Sequence, residues 1–181
     1  ATKKGVNPGL NYGFAENCAI RAYGEFVSSN YGIVNVNVTK ESNALDAKAT
    51  GAGDNDVRIL GGFNTVGGMG TKGTINVGLN TEESYWNGNY IKGAGWGETP
   101  GDYGSVNLFM GNGAQWIGNA SFATNVKMSD EGTVWKGYSL NNAVSADISD
   151  DAAWYNYNEA DTTALLRLNG GSNADRAGLV Y

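Results

Sequence analysis

Apolar and polar residues alternate in a series of short segments along this chain. In one of them the apolar side chains are Ile75, Val77 and Leu79, at every second position. This is the period of a β-strand with one buried face, and a helical period of 3.6 residues does not fit it. The pattern recurs at Val106, Leu108 and Met110, at Val126 and Met128, and at Val144, Ala146 and Ile148. It predicts an all-β chain in which intervening polar residues, such as Asn76 and Asn107, face solvent.

Tryptophan follows each of these strands at a similar distance. Trp116, Trp135 and Trp154 are separated by 19 residues and then by 19 again, and Trp86 ends an earlier copy. Even spacing of a rare residue indicates a structural repeat. Rungs of about 19 residues, each holding a strand, a polar turn and a short Trp-bearing segment, predict a parallel β-solenoid with the four tryptophans stacked as a ladder. A hairpin meander also alternates, so an antiparallel β-sandwich or jelly roll stays open as the alternative.

The repeats divide the chain unevenly. Residues 1–30 show no legible repeat and are interpreted as an irregular N-terminal cap or linker, whereas residues 31–181 are interpreted as the solenoid repeats. A Gly-rich insertion near 87–103 breaks the period and is expected to leave the repeats as a loop. The stretch 51–73 is also rich in glycine, and only Val57–Leu60 within it is predicted as a strand.

Composition and charge exclude several classes of function. The chain has 181 residues and a formal net charge of −6, so the basic surface of a nucleic-acid-binding protein is missing. Histidine is absent and Cys18 is the single cysteine, which removes the usual general base and any cysteine-based zinc site. No apolar run approaches the roughly 20 residues that span a bilayer, so this segment is not expected to insert into a membrane. No cofactor is predicted.

Acidic residues cluster at Asp54 and Asp56 and again between Asp147 and Asp151. Carboxylates of this kind bind calcium, but their spacing does not match an EF-hand loop, and Asp is also a standard turn residue. Lys127 and Asp147 fall at neighbouring repeat positions and form a conceivable catalytic pair. The sequence favours a protein that is not an enzyme, with no catalytic residue and no metal ligand assigned.

A further set of aromatic residues surrounds the Gly-rich insertion. Tyr85, Tyr90, Trp96 and Tyr103 are candidates for stacking on sugar rings or for anchoring a partner protein. Trp96 is the preferred anchor, because it lies outside the repeat. The alternative interpretation is that the tyrosines only cover the repeats.

The repeated segments resemble the passenger region of bacterial autotransporters, the adhesins of type V secretion. The resemblance rests on GTINVGLNTEESYWNG, GSVNLFMGNGAQWIGNA and TNVKMSDEGTVWKG, followed by LLRLNGGSNADRAGLVY, and covers about residues 72 to 181. It implies a right-handed parallel β-helix at the bacterial cell surface or in the extracellular space, acting as an adhesin or spacer. The implied partners are a host or neighbouring-cell surface protein or glycan, together with self-association. Two alternatives stay open: a self-assembling extracellular fibre or coat subunit, and a carbohydrate-active solenoid enzyme.

Overall fold

The computed structural model describes residues 20–22, 26–29, 32–44, 46–66, 73–90, 104–120, 124–139, 144–156, 165–169 and 178–181. The regular elements in these residues are all β-strands, as the alternating pattern predicts. In chain order they are β1 (Ile20–Ala22), β2 (Phe26–Ser29), β3 (Ile33–Val36), β4 (Val38–Lys40), β5 (Ala49–Ala52), β6 (Val57–Leu60), β7 (Phe63–Val66), β8 (Thr74–Leu79), β9 (Tyr85–Asn87), β10 (Ser105–Met110), β11 (Gln115–Ile117), β12 (Thr124–Met128), β13 (Val134–Lys136), β14 (Val144–Ser149), β15 (Ala153–Tyr155), β16 (Leu165–Asn169) and β17 (Leu179–Val180).

Most of these strands belong to two sheets. The short-strand sheet has the order β1-β6-β9-β11-β13-β15-β17, and the long-strand sheet has the order β16-β14-β12-β10-β8-β3. From β8 onwards the chain alternates between them, with even-numbered strands in the long-strand sheet and odd-numbered strands in the short-strand sheet. Neighbouring strands within both sheets pair in parallel. Parallel pairing contradicts the antiparallel sandwich or jelly roll that the alternation left open.

A third line of parallel pairing runs beside the two sheets. β2 pairs with β7, and isolated bridges continue the line from Phe63 to Tyr90, from Tyr90 to Ala120 and from Ala120 to Ser139. Residues 87–90 therefore still belong to the repeat, although the sequence placed them at the start of the insertion. The remainder of that insertion, 91–103, lies outside the described residues.

Apolar side chains of successive long strands stack in register. Leu79, Met110, Met128 and Ile148 are register partners on β8, β10, β12 and β14, and all four are buried. Parallel strands lie about 4.8 Å apart, so a given position in one repeat contacts the same position in the next. This stacking explains why similar residues recur at equal spacing along the sequence.

The described part of 51–73, residues 51–66 and Gly73, is more regular than the sequence predicts. Besides β6, this stretch holds the end of β5 and the whole of β7, and both β6 and β7 pair in parallel. Phe63 on β7 is fully buried and packs on the ring of Trp86. The short glycine-containing link between β6 and β7 is thus a corner between two lines of pairing.

An antiparallel hairpin, β4–β5, leaves the repeats directly after β3. Asn37 directly follows β3 and has a φ of 48°, and its Nδ2 donates to the carbonyl oxygens of Gly53, Asn55 and Gly78 at 3.0, 3.0 and 3.1 Å. The hairpin packs directly on β8 at Gly78, where a Cβ atom would lie 2.0 Å from the Asn37 oxygen and 2.6 Å from the Ala52 Cα. Gly78 thus seats the hairpin against the outer face of the long-strand sheet.

Candidate functional site

The four tryptophans form a continuous stack. Ring centroids are 4.6 Å apart for Trp86 and Trp116, 4.4 Å for Trp116 and Trp135, and 4.2 Å for Trp135 and Trp154. The interplanar angles lie between 3° and 9°, and Phe63 extends the stack with a centroid 3.9 Å from that of Trp86. Each tryptophan is at most 1% exposed. The stack therefore belongs to the core and presents no ring face to a ligand.

Each indole N–H has an acceptor in the preceding repeat. Trp116 Nε1 donates to the Gly88 carbonyl oxygen at 3.0 Å, and Trp135 Nε1 donates to that of Gly118 at 2.9 Å; Trp86 and Trp154 make the equivalent bonds. A buried N–H without such a partner costs about 1–3 kcal/mol. The recurring Trp-x-Gly spacing is the sequence signal of this arrangement, and the sequence interpretation missed it.

The four aromatic residues expected at a binding surface lie in different settings. Trp96 and Tyr103 fall outside the described residues, so their role stays a prediction. Tyr85 is half-buried on β9, beside Trp86 in the chain. Tyr90 is 0% exposed. The expectation that Tyr90 lies on a binding surface is wrong, because its ring is packed inside the molecule.

The hydroxyl of Tyr90 is held by two polar groups. It bonds with the Thr65 hydroxyl and donates to the Gly104 carbonyl oxygen at 3.1 Å. Burial raises the pKa of this hydroxyl, and the hydrogen bond with Thr65 partly offsets the rise. An unfolded tyrosine loses its proton near pH 10, so above about pH 10 the unfolded chain binds fewer protons than the native one. Tyr90 therefore contributes stability below that pH that is lost as the pH rises through its folded pKa.

Tyr90→Phe tests this coupling. At neutral pH we expect the variant to lose about 1–3 kcal/mol of unfolding free energy, because Thr65 and the Gly104 carbonyl lose their partner. Above about pH 10 we expect the variant to lose less stability with rising pH than the wild type, since the titrating group is gone. Urea unfolding of both proteins across this pH range is the measurement. An identical alkaline loss in both would refute the role of Tyr90.

A second ladder, made of asparagine side chains, crosses the outer face of the long-strand sheet. Asn76 donates through Nδ2 to Asn35 Oδ1, Asn107 to Asn76, and Asn125 to Asn107, each at 2.7 Å. Asn76 is only 5% exposed, so its predicted solvent-facing position is wrong. The reason is local: the hairpin packs at Gly78, two residues further along the same face of β8.

The asparagine ladder ends at Asn125, which is exposed to solvent. Its amides all donate in the same direction, and aligned hydrogen bonds of this kind polarise one another. The register partner of Asn125 on β14 is Ser145, which has no amide to continue the series. Within the described part of the chain, Asn125 Oδ1 receives no hydrogen bond, and the side chain is exposed. The ladder thus leaves a free, polarised acceptor at the surface.

This acceptor lies in a groove between the hairpin and the long-strand sheet. The groove has a volume of about 500 Å³, within the roughly 300–1,000 Å³ of small-molecule sites. Lys48 and Thr50 of the hairpin line one side. The floor, formed by outward side chains of three successive long strands, consists of Asn107 and Phe109, Asn125 and Lys127, and Ser145 and Asp147. We call this site the hairpin groove.

The hairpin groove combines an aromatic ring, amides and charges. Phe109, Lys127 and Asp147 occupy one register position on successive strands. Lys48 and Lys127 are both exposed, and Asp147 is half-buried. Among the described lining residues there are thus two ammonium groups and one carboxylate, in a chain whose net charge is −6. The groove is locally positive on an acidic protein.

Apart from Asp147 on β14, the acidic residues considered as calcium ligands lie in turns and loops. Thr81 Oγ1 donates to Asp56 Oδ1 at 2.8 Å, and Asn80 Nδ2 donates to Asp54 Oδ1 at 3.4 Å. Asp150 has a φ of 51°, in the left-handed region that Asp tolerates better than most residues. In the described ranges, no group of three or more Asp, Glu or Cys side chains is arranged to hold a metal ion.

No family model, curated protein or solved structure matches this chain. The described residues contain no helix of the length and apolar character needed to cross a membrane.

Proposed function

We propose that the chain forms a right-handed parallel β-helix that acts as a non-catalytic binding or spacer module on a bacterial cell surface, in the manner of an autotransporter passenger. The alternation between two parallel sheets, with a third line of bridges beside them, supports a chain that makes one turn per repeat. The right hand is supported by a general rule, since crossovers between parallel strands of one sheet are right-handed in about 98% of cases.

The observation that carries the proposal is that three kinds of side chain each form a separate in-register stack along the same repeats. Indole rings stack on the short-strand sheet, aliphatic and methionine side chains stack in the core of the long-strand sheet, and amides stack on its outer face. Each repeat is held mainly by its neighbours, as in other repeat proteins with extended binding surfaces. Such a body suits the display of a surface more than it suits a closed catalytic pocket.

The charge content of the hairpin groove supports a non-catalytic role. Glycoside hydrolysis ordinarily uses two carboxyl groups that flank the scissile bond. Among the described lining residues Asp147 is the single carboxylate, with Lys127 as its register partner on β12. The pair considered for catalysis is therefore better suited to holding a ligand than to cleaving one.

Bead attachment tests the adhesive role. Beads coated with the chain should attach to epithelial monolayers or to neighbouring bacterial cells several-fold more than beads coated with albumin. Beads coated with the heat-denatured chain are the matched control and should attach no more than albumin beads. Equal attachment of native chain and albumin would remove the adhesive role and leave the spacer role.

A self-assembling fibre or coat subunit is the second candidate. Among the described strands, β3 and β17 lie at the edges of their sheets, and they expose Ile33 by 42% and Leu179 by 39%. Edge strands with exposed apolar residues pair readily with another chain. Sedimentation velocity over a wide concentration range distinguishes the candidates: particles that grow with concentration favour the fibre, and a constant monomer removes it.

A further inference from the structure

We infer that the hairpin groove binds an acidic saccharide, a short sugar chain that carries carboxylate-bearing units such as uronic acids. The inference rests on the proposed function and deepens it by naming the ligand class of one binding surface. It draws on three properties of the groove: the free end of the asparagine ladder, the aromatic side chain beside it, and the local charge.

The end of the asparagine ladder provides polar recognition. Asn125 Oδ1 is an exposed acceptor at the end of a polarised series of amides, and the Ser145 hydroxyl lies at the register position next to it. Sugar hydroxyls both donate and accept hydrogen bonds, so one hydroxyl can satisfy Asn125 while another bonds to Ser145. Polarisation along the series makes Asn125 Oδ1 a stronger acceptor than an isolated amide.

The floor of the groove provides packing and length. Phe109 is half-buried at the hairpin side of the floor, next to Lys127 in register, and leaves part of its side chain for a ligand. Aromatic side chains pack well against the apolar face of a sugar ring. The floor covers three strands, which at about 4.8 Å between neighbours extends over roughly 10 Å. That length suits a short oligosaccharide lying across the strands.

The charge of the groove selects an acidic ligand. Lys48 on the hairpin and Lys127 on β12 approach the groove from different sides, and both are exposed. The chain as a whole has a net charge of −6 and repels an anion, so an acidic ligand is favoured at this groove, where the two ammonium groups of Lys48 and Lys127 outnumber the one described carboxylate, Asp147. Amides and an aromatic ring beside them favour a saccharide over a simple anion.

Titration calorimetry of the full chain with tetragalacturonate tests the inference. Wild type should bind, and Asn125→Ala, Phe109→Ala and Lys127→Ala should each weaken binding by about tenfold, the size expected for losing one strong contact. Lys136→Ala is the matched control, because Lys136 is also an exposed lysine of the same repeat but lies on β13, in the other sheet. It should bind like the wild type. All four substitutions are at partly or fully exposed positions, and an unchanged unfolding midpoint verifies the fold.

Four results would overturn the inference. If neutral maltotetraose bound as tightly as tetragalacturonate, the ligand would not need to be acidic. If a tetraglutamate peptide bound as tightly, the ligand would not need to be a saccharide. An equal loss of affinity in Lys127→Ala and Lys136→Ala would show that diffuse electrostatic attraction, and not the groove, binds the saccharide. Absence of saccharide binding in a chain that still attaches beads to cells overturns this inference alone, whereas loss of bead attachment overturns the proposed adhesive role.

Discussion

Replacing Trp135 by alanine is expected to lower the free energy of unfolding by about 3–5 kcal/mol. The ring is fully buried between Trp116 and Trp154, at centroid distances of 4.4 and 4.2 Å. The substitution leaves a large cavity, removes two stacked pairs worth about 0.5–1.5 kcal/mol each, and deprives the Gly118 carbonyl of its indole donor. Because both neighbouring repeats pack on this ring, the substitution weakens the packing of the repeat on either side.

Urea unfolding at equilibrium measures the effect, with Ile117→Ala as the control. Ile117 lies on the adjacent strand β11 but is 45% exposed, so its truncation should change the unfolding free energy by no more than about 0.5 kcal/mol. Trp135→Phe should fall between the two, since one aromatic ring stays in the stack. A loss below about 1 kcal/mol for Trp135→Ala would mean that the ladder adds little to the core.

The parts of the fold that were predictable from the sequence are those that repeat. In-register parallel pairing places each residue on its counterpart in the next repeat, so Met110 meets Met128 and Trp116 meets Trp135. A residue type that suits one repeat suits the next, and this leaves a period in the sequence. Strand positions and the stacking of the tryptophans followed from that period.

The hairpin was not predictable, because distant residues determine it. The turn at Asn37 depends on a hydrogen bond to Gly78, 41 positions away, and on the absence of a side chain there. The burial of Asn76 depends on the same hairpin. Asparagine did recur at one strand position, but alternation alone assigned it to solvent.

The hairpin groove combines a predicted part with an unpredicted one. Lys127 and Asp147 were expected as neighbours from the repeat, and they are register partners. Lys48 belongs to the inserted hairpin, and no period relates it to β12. Tyr90 shows the opposite failure: its position near the Gly-rich insertion suggested exposure, whereas a single bridge on each side places it in the core.

Gly118→Ala should destabilise the chain by about 3 kcal/mol or more. A Cβ atom at this position would lie 1.8 Å from the Gly88 carbonyl oxygen and 2.9 Å from Trp116 Nε1. Two backbones meet here, so no flexible side chain can move aside. Relief requires the repeats to separate, which costs packing and breaks the Trp116 hydrogen bond to Gly88. The prediction is checked by urea unfolding of the variant beside the wild type.

Gly132→Ala is the matched control, since it makes the same chemical change in the next repeat without the close contact. The nearest atom to its added Cβ would be the Gly113 Cα at 3.6 Å, an ordinary contact, although Gly132 has a φ of +87°. Its cost should therefore be that of the backbone conformation alone, about 1–2 kcal/mol. Gly118 itself has a φ of +157°, so a backbone cost enters both variants, and a loss at Gly118 that clearly exceeds this cost indicates the close approach of successive repeats. Equal losses would mean that glycine at Gly118 is needed for its backbone conformation and not for that approach.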